Sequence, residues 1–152
     1  MKITEIKIFR KAVTLNEPFK FALETITSLD TVIVKVICDN GLIGYGEASP
    51  FAQVTGETIE SEQVTLALFN QVLRGHDPLA IESIHVTMAA ALAGHTAAKA
   101  GIDMACYDLL GKQAHLPLYR LLGGTNTQIT TDVTLGITTP QRAAEEAKMW
   151  VA

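Results

Sequence analysis

Long apolar runs are missing from this chain. No stretch approaches the roughly 20 residues a membrane-spanning helix needs. The opening MKITEIKIFRK alternates polar and apolar residues, where a secretion signal would have a solid apolar core. Cysteine is scarce. Cys38 and Cys106 are the only two, and they show neither metal-ligand nor redox spacing. Each falls in an apolar pattern and reads as a buried free thiol, which suits a reducing cytoplasm. Positive charge is also short: 12 basic residues against 16 acidic ones leave a net charge of −4. Nothing basic clusters, so nucleic acid is not an expected partner. There is no glycine-rich phosphate loop, no nucleophile elbow and no internal repeat. His76, His85, His95 and His115 share no ligand spacing and read as structural or exposed.

What is present is the composition of a globular protein. Apolar residues make up 48% of 152 and charged residues 18%. That length holds one ordinary domain, or one small domain and a further piece.

The N-terminal part reads as β. In residues 2–14, Ile6 and Ile8 share one face, with Ile3, Phe9 and Val13 on the other. In residues 31–39, Val32, Val34, Val36 and Cys38 share a face. Asn40-Gly41 follows, a dipeptide suited to hairpins because both residues tolerate positive φ. Residues 42–48 return as a third strand, giving a three-stranded antiparallel meander. Two loops interrupt it, at 15–29 and 49–57. Both carry apolar residues that a plain solvated loop lacks, and the first is long enough to suggest function.

The period then becomes helical. Thr58 reads as an N-cap, with Glu60 and Glu62 near the positive end of the helix dipole. Val64, Leu68, Phe69, Val72 and Leu73 form the expected apolar stripe. Asp77-Pro78 reads as the next cap and first helical position, with Ile81, Ile84, Met88 and Leu92 as its buried stripe. From Thr96 to about Lys112 the chain is apolar on nearly every side, as in a helix covered all round. PLYRLL, from Pro117, makes a short helix that Gly123-Gly124 ends. Residues 130–137 read as a strand. Thr139-Pro140 then starts a helix whose stripe is Ala143, Ala144, Ala147 and Val151. A strand followed closely by a helix is half of a βαβ unit, and its partner strand would lie past Ala152.

The stretch AAKAGIDMACYDLLGKQAHLPLYRLLGG (97–124) resembles the N-terminal capping domain of the enolase superfamily, and more narrowly its muconate-lactonizing-enzyme subgroup. The resemblance continues through Val34, Gly44, Gly46-Glu47-Ala48 and Thr55-Gly56-Glu57. PFKFALETI (18–26) and VTGET (54–58) look like the loops of dipeptide epimerases, and TLGI (134–137) looks like their first barrel strand. The fold class this implies is an α+β capping domain, with three antiparallel strands and then helices, followed by the start of a (β/α) barrel. The domains would be 1–126 for the cap and 127–152 for the first barrel strand and helix.

The resemblance implies a two-domain epimerase that removes and returns the α-proton of an amino-acid residue. Two lysines on the barrel would move the proton, and Mg²⁺ on three barrel carboxylates would stabilise the charge. It also implies a small-molecule substrate, expected to be a dipeptide, and a homo-oligomer at full length, with no nucleic-acid or membrane partner. N-acylamino acid racemase, o-succinylbenzoate synthase and muconate cycloisomerase share the cap and remain alternatives. So does a non-catalytic binding module. The family's first catalytic lysine belongs to a Lys-x-Lys motif, which this sequence lacks. Residues 1–152 alone are therefore expected to be inactive, with no catalytic residue and no metal ligand of their own.

The candidate substrate-binding residues are Phe19, Glu24, Ile26, Phe51, Val54 and Thr134. Phe19, Ile26, Phe51 and Val54 are an apolar lid or, alternatively, small packing anchors for their loops. Thr55 is read as orienting its loop. Glu24 replaces a residue that looks basic in the alanyl-glutamate enzymes. It would disfavour anionic substrates, or it is an exposed charge touching nothing. Thr134, near the end of the first barrel strand, could bond a substrate carboxylate or amide or satisfy local backbone. Asp103 and Asp108, five apart, point in different directions and are expected to bond backbone or basic groups, as is Glu47.

Overall fold

The computed structural model describes residues 1–151; Ala152 lies outside the described residues. Three strands come first: β1 (Ile3–Lys20), β2 (Thr25–Cys38) and β3 (Ile43–Ala48), in the order β1-β2-β3. Six helices follow: α1 (Ala52–Thr55), α2 (Ile59–Val72), α3 (Ile81–Ala91), α4 (Thr96–Ala114), α5 (Leu118–Leu121) and α6 (Pro140–Val151). The meander and its antiparallel β2–β3 pairing, Val34 opposite Gly46, are as expected. The chain divides into two compact units. One holds 1–11 and 30–125; the other holds 12–29 and the chain from Asn126 onward.

The core of the first unit forms where apolar faces meet. Val32, Val34, Val36 and Cys38 of β2 are buried on one face, as the alternation predicts. They meet Leu66, Phe69 and Leu73 from the second helix, Ile84 and Met88 from α3, and Ile102, Ala105, Cys106 and Leu109 from α4. A fully buried side chain of this size stabilises by about 2–3 kcal/mol. Burial pushes the Cys106 thiol up to about 12, and it raises Cys38 as well, so both are inert packing groups.

Helix α4 lies close on β3, and three glycines allow it. A Cβ on Gly44 would strike the Ala105 carbonyl, and one on Gly46 would strike that of Gly101. A Cβ on Gly101 would come within 2.9 Å of Val34. Here glycine serves close approach of backbone to backbone.

Several elements differ from the sequence reading. The expected loop at 15–29 is mostly hairpin: β1 runs on to Lys20, β2 starts at Thr25, and only 21–24 turn, closed by Phe21 N–H donating to the Glu24 carbonyl at 3.0 Å. Backbone pairing there outweighs weak alternation. Ile3 and Ile6 are both buried: residues 75–76 bond the Ile3 backbone, and the Ile6 N–H donates to Asn70 Oδ1 of α2 at 2.7 Å. The 49–57 connection contains the short α1.

Thr58 does cap α2, in a reciprocal box with Ser61. Phe69 and Leu73 of the expected stripe are fully buried and Leu68 and Val72 half-buried, but the first turn departs from it. Val64 is 73% exposed, while Glu62 and Thr65 are buried with Leu66 and Phe69. Asp77-Pro78 forms a turn before α3, Asp77 Oδ1 accepting from Leu79 N–H at 3.0 Å, and the helix starts at Ile81. α4 is not covered all round: Met104 is 44% exposed.

In the second unit, residues 128–136 have no ladder partner among the described residues and are not a strand. α6 starts as expected, with the Thr139 hydroxyl accepting from Arg142 N–H. Its stripe is only half covered, with Ala143 and Ala147 half-buried and Ala144 and Val151 exposed.

Candidate functional site

The candidate residues fall on both units. In the second unit, Phe19 and Lys20 end β1 and Ile26 lies just inside β2, so the hairpin carries them on either side of its turn. The Phe19 and Phe21 rings lie 6.3 Å apart, tilted by 32°. The Lys20 carbonyl accepts from Ile137 N–H at 2.7 Å, and a Cβ on Gly136 would lie 3.4 Å from the Phe19 ring. Arg142 of α6 pairs with Glu17 of β1. The hairpin tip is thus fastened to residues 136–142, with exposed Thr134 two positions upstream. Glu24 is half-buried at the turn, and its carboxylate has no ion-pair or hydrogen-bond partner among the described residues.

In the first unit, Phe51 precedes α1 as its N-cap and Val54 lies within it. Phe51 is half-buried, and Val54 is 71% exposed. The Phe51 carbonyl accepts from Val54 N–H, from Thr55 N–H and from the Thr55 hydroxyl at 3.2 Å. Thr55 therefore orients the turn. Gly56 closes it at φ +74, a conformation that favours glycine.

Glu57 ends this segment and is nearly buried. Its Oε1 accepts from the Thr96 N–H at 2.7 Å and the Thr96 hydroxyl at 3.1 Å, and its Oε2 from the Ala97 N–H at 2.9 Å. It thereby satisfies the orphan donors of α4, whose N-cap residue, His95, makes no capping bond. Burial alone would raise the Glu57 carboxyl; the bonds from Ala97 and Thr96, with one from Glu62, outweigh it and hold the group below the usual range. Glu62 behaves oppositely. Burial, then the bond and negative charge of Glu57, push it up to about 7. Sequence reading placed Glu62 only near a helix dipole. The signal was available: Ile59, Glu62, Leu66, Phe69 and Leu73 follow the helical period, and Glu62 occupies an inward position.

The other carboxylates are structural, as expected. Asp108 accepts from Tyr45 N–H at 2.8 Å and pairs with Lys112, while Asp103 pairs with His85 at 2.6 Å. Among the described residues, no three His, Cys, Asp or Glu side chains come together to hold a metal ion. No helix among the described residues is long and apolar enough to cross a membrane.

The family model for the mandelate racemase / muconate lactonizing enzyme N-terminal domain matches residues 3–123. The chain belongs to this family.

Within the family, the hydrophobic dipeptide epimerase of Enterococcus faecalis is 46% identical over 153 residues, which cover 98% of this chain and 43% of that protein. The L-Lys-D/L-Arg epimerase of Desulforapulum autotrophicum is 37% identical over 152 residues, covering 99% of this chain and 43% of its own length. The crystal structure of the Enterococcus faecalis dipeptide epimerase complexed with Mg and L-Leu-L-Tyr superposes with a TM-score of 0.92 at 46% identity, covering 97% of this chain and 43% of that one. The chain thus spans less than half the length of the curated relatives it matches.

Proposed function

We propose that this chain is the N-terminal part of a dipeptide epimerase, with 1–126 as the capping domain and the segment from 127 as the first strand and helix of a barrel, the strand forming only when a neighbouring barrel strand pairs with it. One observation carries the reading: the 46% identity to a hydrophobic dipeptide epimerase runs along 98% of the chain. The reaction would remove and return the α-proton of one residue of a dipeptide. Relatives hold Mg in their crystal structures. In an epimerase a divalent metal spreads the negative charge that develops beside the substrate carboxylate. The described residues of this chain do not assemble a cage for it, so none is assigned to the metal and none to proton transfer.

The part assigned here is substrate choice. Phe19, Ile26 and Thr134 of the second unit are proposed as substrate contacts, and Phe51 and Val54 of the first are proposed independently of them. Their apolar character suits uncharged, apolar side chains. Glu24 adds a negative charge that an acidic substrate would meet uncompensated. The same free carboxylate also supports a second reading, cationic dipeptides, such as those named for the L-Lys-D/L-Arg epimerase relatives.

The test is α-proton exchange in heavy water, followed by NMR, with the full-length protein and a panel of apolar, cationic and acidic dipeptides. Apolar dipeptides should exchange fastest, with acidic ones slower by about tenfold or more in kcat/KM, since one uncompensated charge is worth at least 1.4 kcal/mol. Glu24→Arg should narrow that gap. Exchange with no dipeptide at all would sink the epimerase reading. An unchanged preference in Glu24→Arg would remove Glu24 from the site. The 152-residue chain alone is expected to give no exchange above blank.

A further inference from the structure

The segment Phe51–Gly56 is fastened to the helical layer at its far end, by Glu57. Behind Glu57, one turn into the second helix, the Glu62 side chain is fully buried, and as a carboxylate neither of its oxygens meets a donor. A buried charge without a donor is costly enough that the group takes up a proton instead. The acidic partner at hand is Glu57, whose oxygens already accept from Thr96 and Ala97. Two carboxylates facing each other in a buried site do not both ionise; one keeps a proton and donates it to the other. Glu57 is the one to stay charged, because the first turn of α4 directs N–H groups at it. Glu62 is fully buried, and the one group it bonds is Glu57.

We propose that Glu57 and Glu62 share one proton, and that this proton holds the Phe51–Glu57 segment on the head of α4, which makes Glu62 a positioning residue for Phe51 and Val54. Loss of the proton to water leaves two negative charges side by side and breaks the bond between them. The segment then detaches from α4 or rearranges. The pKa of Glu62, near 7, puts this event within the ordinary working range.

The other charged groups around the second helix are engaged elsewhere. Arg10 pairs with Asp30 at 2.7 Å and Glu60 at 3.6 Å. From α3, His85 pairs with Asp103, and Glu82 is exposed. From α4, Lys99 donates to the Leu92 carbonyl at 2.7 Å. His95, at φ +51, exchanges a hydrogen bond with the Thr65 hydroxyl at 3.1 Å. None of these neutralises Glu62, so the proton is its remaining means of compensation.

The test is amide hydrogen exchange read by mass spectrometry on the full-length protein, corrected for intrinsic rates, at about pH 5.5 and pH 8.5. Protection of the 51–57 peptide and of the Thr96 and Ala97 amides should fall by about tenfold at the higher pH, the range expected when a group of this pKa becomes almost wholly ionised. Glu62→Gln keeps a donor and cannot ionise, so its protection should stay the same at both pH values. Glu62→Leu should be unprotected at both. Wild-type protection independent of pH, or the same decline in Glu62→Gln, overturns the proposal, and neither outcome requires the leucine variant to fold. The substrate role of the segment rests on the proposed function, and KM reports it separately. With wild-type exchange as expected and the dipeptide KM unmoved by Glu62→Leu, the shared proton stands and the substrate-facing reading of Phe51 and Val54 falls.

Discussion

Glu57 Oε1 lies 2.7 Å from the Thr96 nitrogen, and this one bond joins the end of a surface segment to the start of the most buried helix of the fold. The capping side chain comes from 39 residues away rather than from the residue before the helix. Replacing it therefore does more than uncap a helix. Glu57→Ala leaves the Thr96 and Ala97 N–H groups without their acceptor and should lower stability by about 2–3 kcal/mol, the cost of a lost cap together with unpaired donors. Glu57→Gln retains a carbonyl oxygen and should lose about half as much. Urea midpoints of the three proteins check this.

The Glu57–Glu62 pair also sets a pH dependence, and its two members act in opposite directions. Glu62 has its folded value raised to about 7 from 4.5 in the unfolded chain. The folded state therefore binds more protons between those values, and its contribution is complete below 4.5 and lost as pH rises through about 7. Glu57, held below its ordinary value of 4.5, contributes above that value and loses its contribution as pH falls through its lowered one. Stability should therefore peak in acid, near pH 4.5, and decline by about 2 kcal/mol or more toward pH 8. Denaturation across this range should show the decline in wild type and a nearly flat profile in Glu62→Gln.

Two glycines offer a contrast of mechanism. Gly46→Ala drives a Cβ into the Gly101 carbonyl, with the Ala105 nitrogen 3.0 Å away, so helix and sheet must separate. A loss of about 3 kcal/mol or more is expected, in line with overpacking against immovable backbone. Gly56→Ala meets nothing within 4 Å, but its φ is +74. Only backbone strain opposes it, and a loss of about 1 kcal/mol is expected. Calorimetric melting of both variants separates the two cases.

The fold was readable wherever one face of an element meets a core. Val32, Val34, Val36 and Cys38 alternate, and they are buried together. Thr58 and Thr139 announced their helices by chemistry that acts locally. The hairpin from Leu15 to Leu29 was not legible, because a two-stranded ribbon with little burial leaves no clear alternation; its pairing is carried by backbone. Residues 130–137 had the composition of a strand and, among the described residues, no ladder partner to make them one. The candidate site was legible only in part. Thr55 orients its turn through Phe51, as read, while the closeness of Phe19 to Gly136 was not foreseen. Glu62 escaped because an acidic residue in a first helical turn has a ready surface explanation. Only its place in the 59-62-66-69-73 stripe pointed inward.

The seam of Gly44, Gly46 and Gly101 has a consequence for how such a protein can change over generations. The seam sets glycine against the helix and strand backbone and against the Leu109 and Val34 side chains, so it tolerates almost nothing added. Variation is pushed outward, to positions such as Leu23, Glu24 and Val54, whose side chains the core does not need. A lineage built on this scaffold can exchange such side chains while the seam stays as it is.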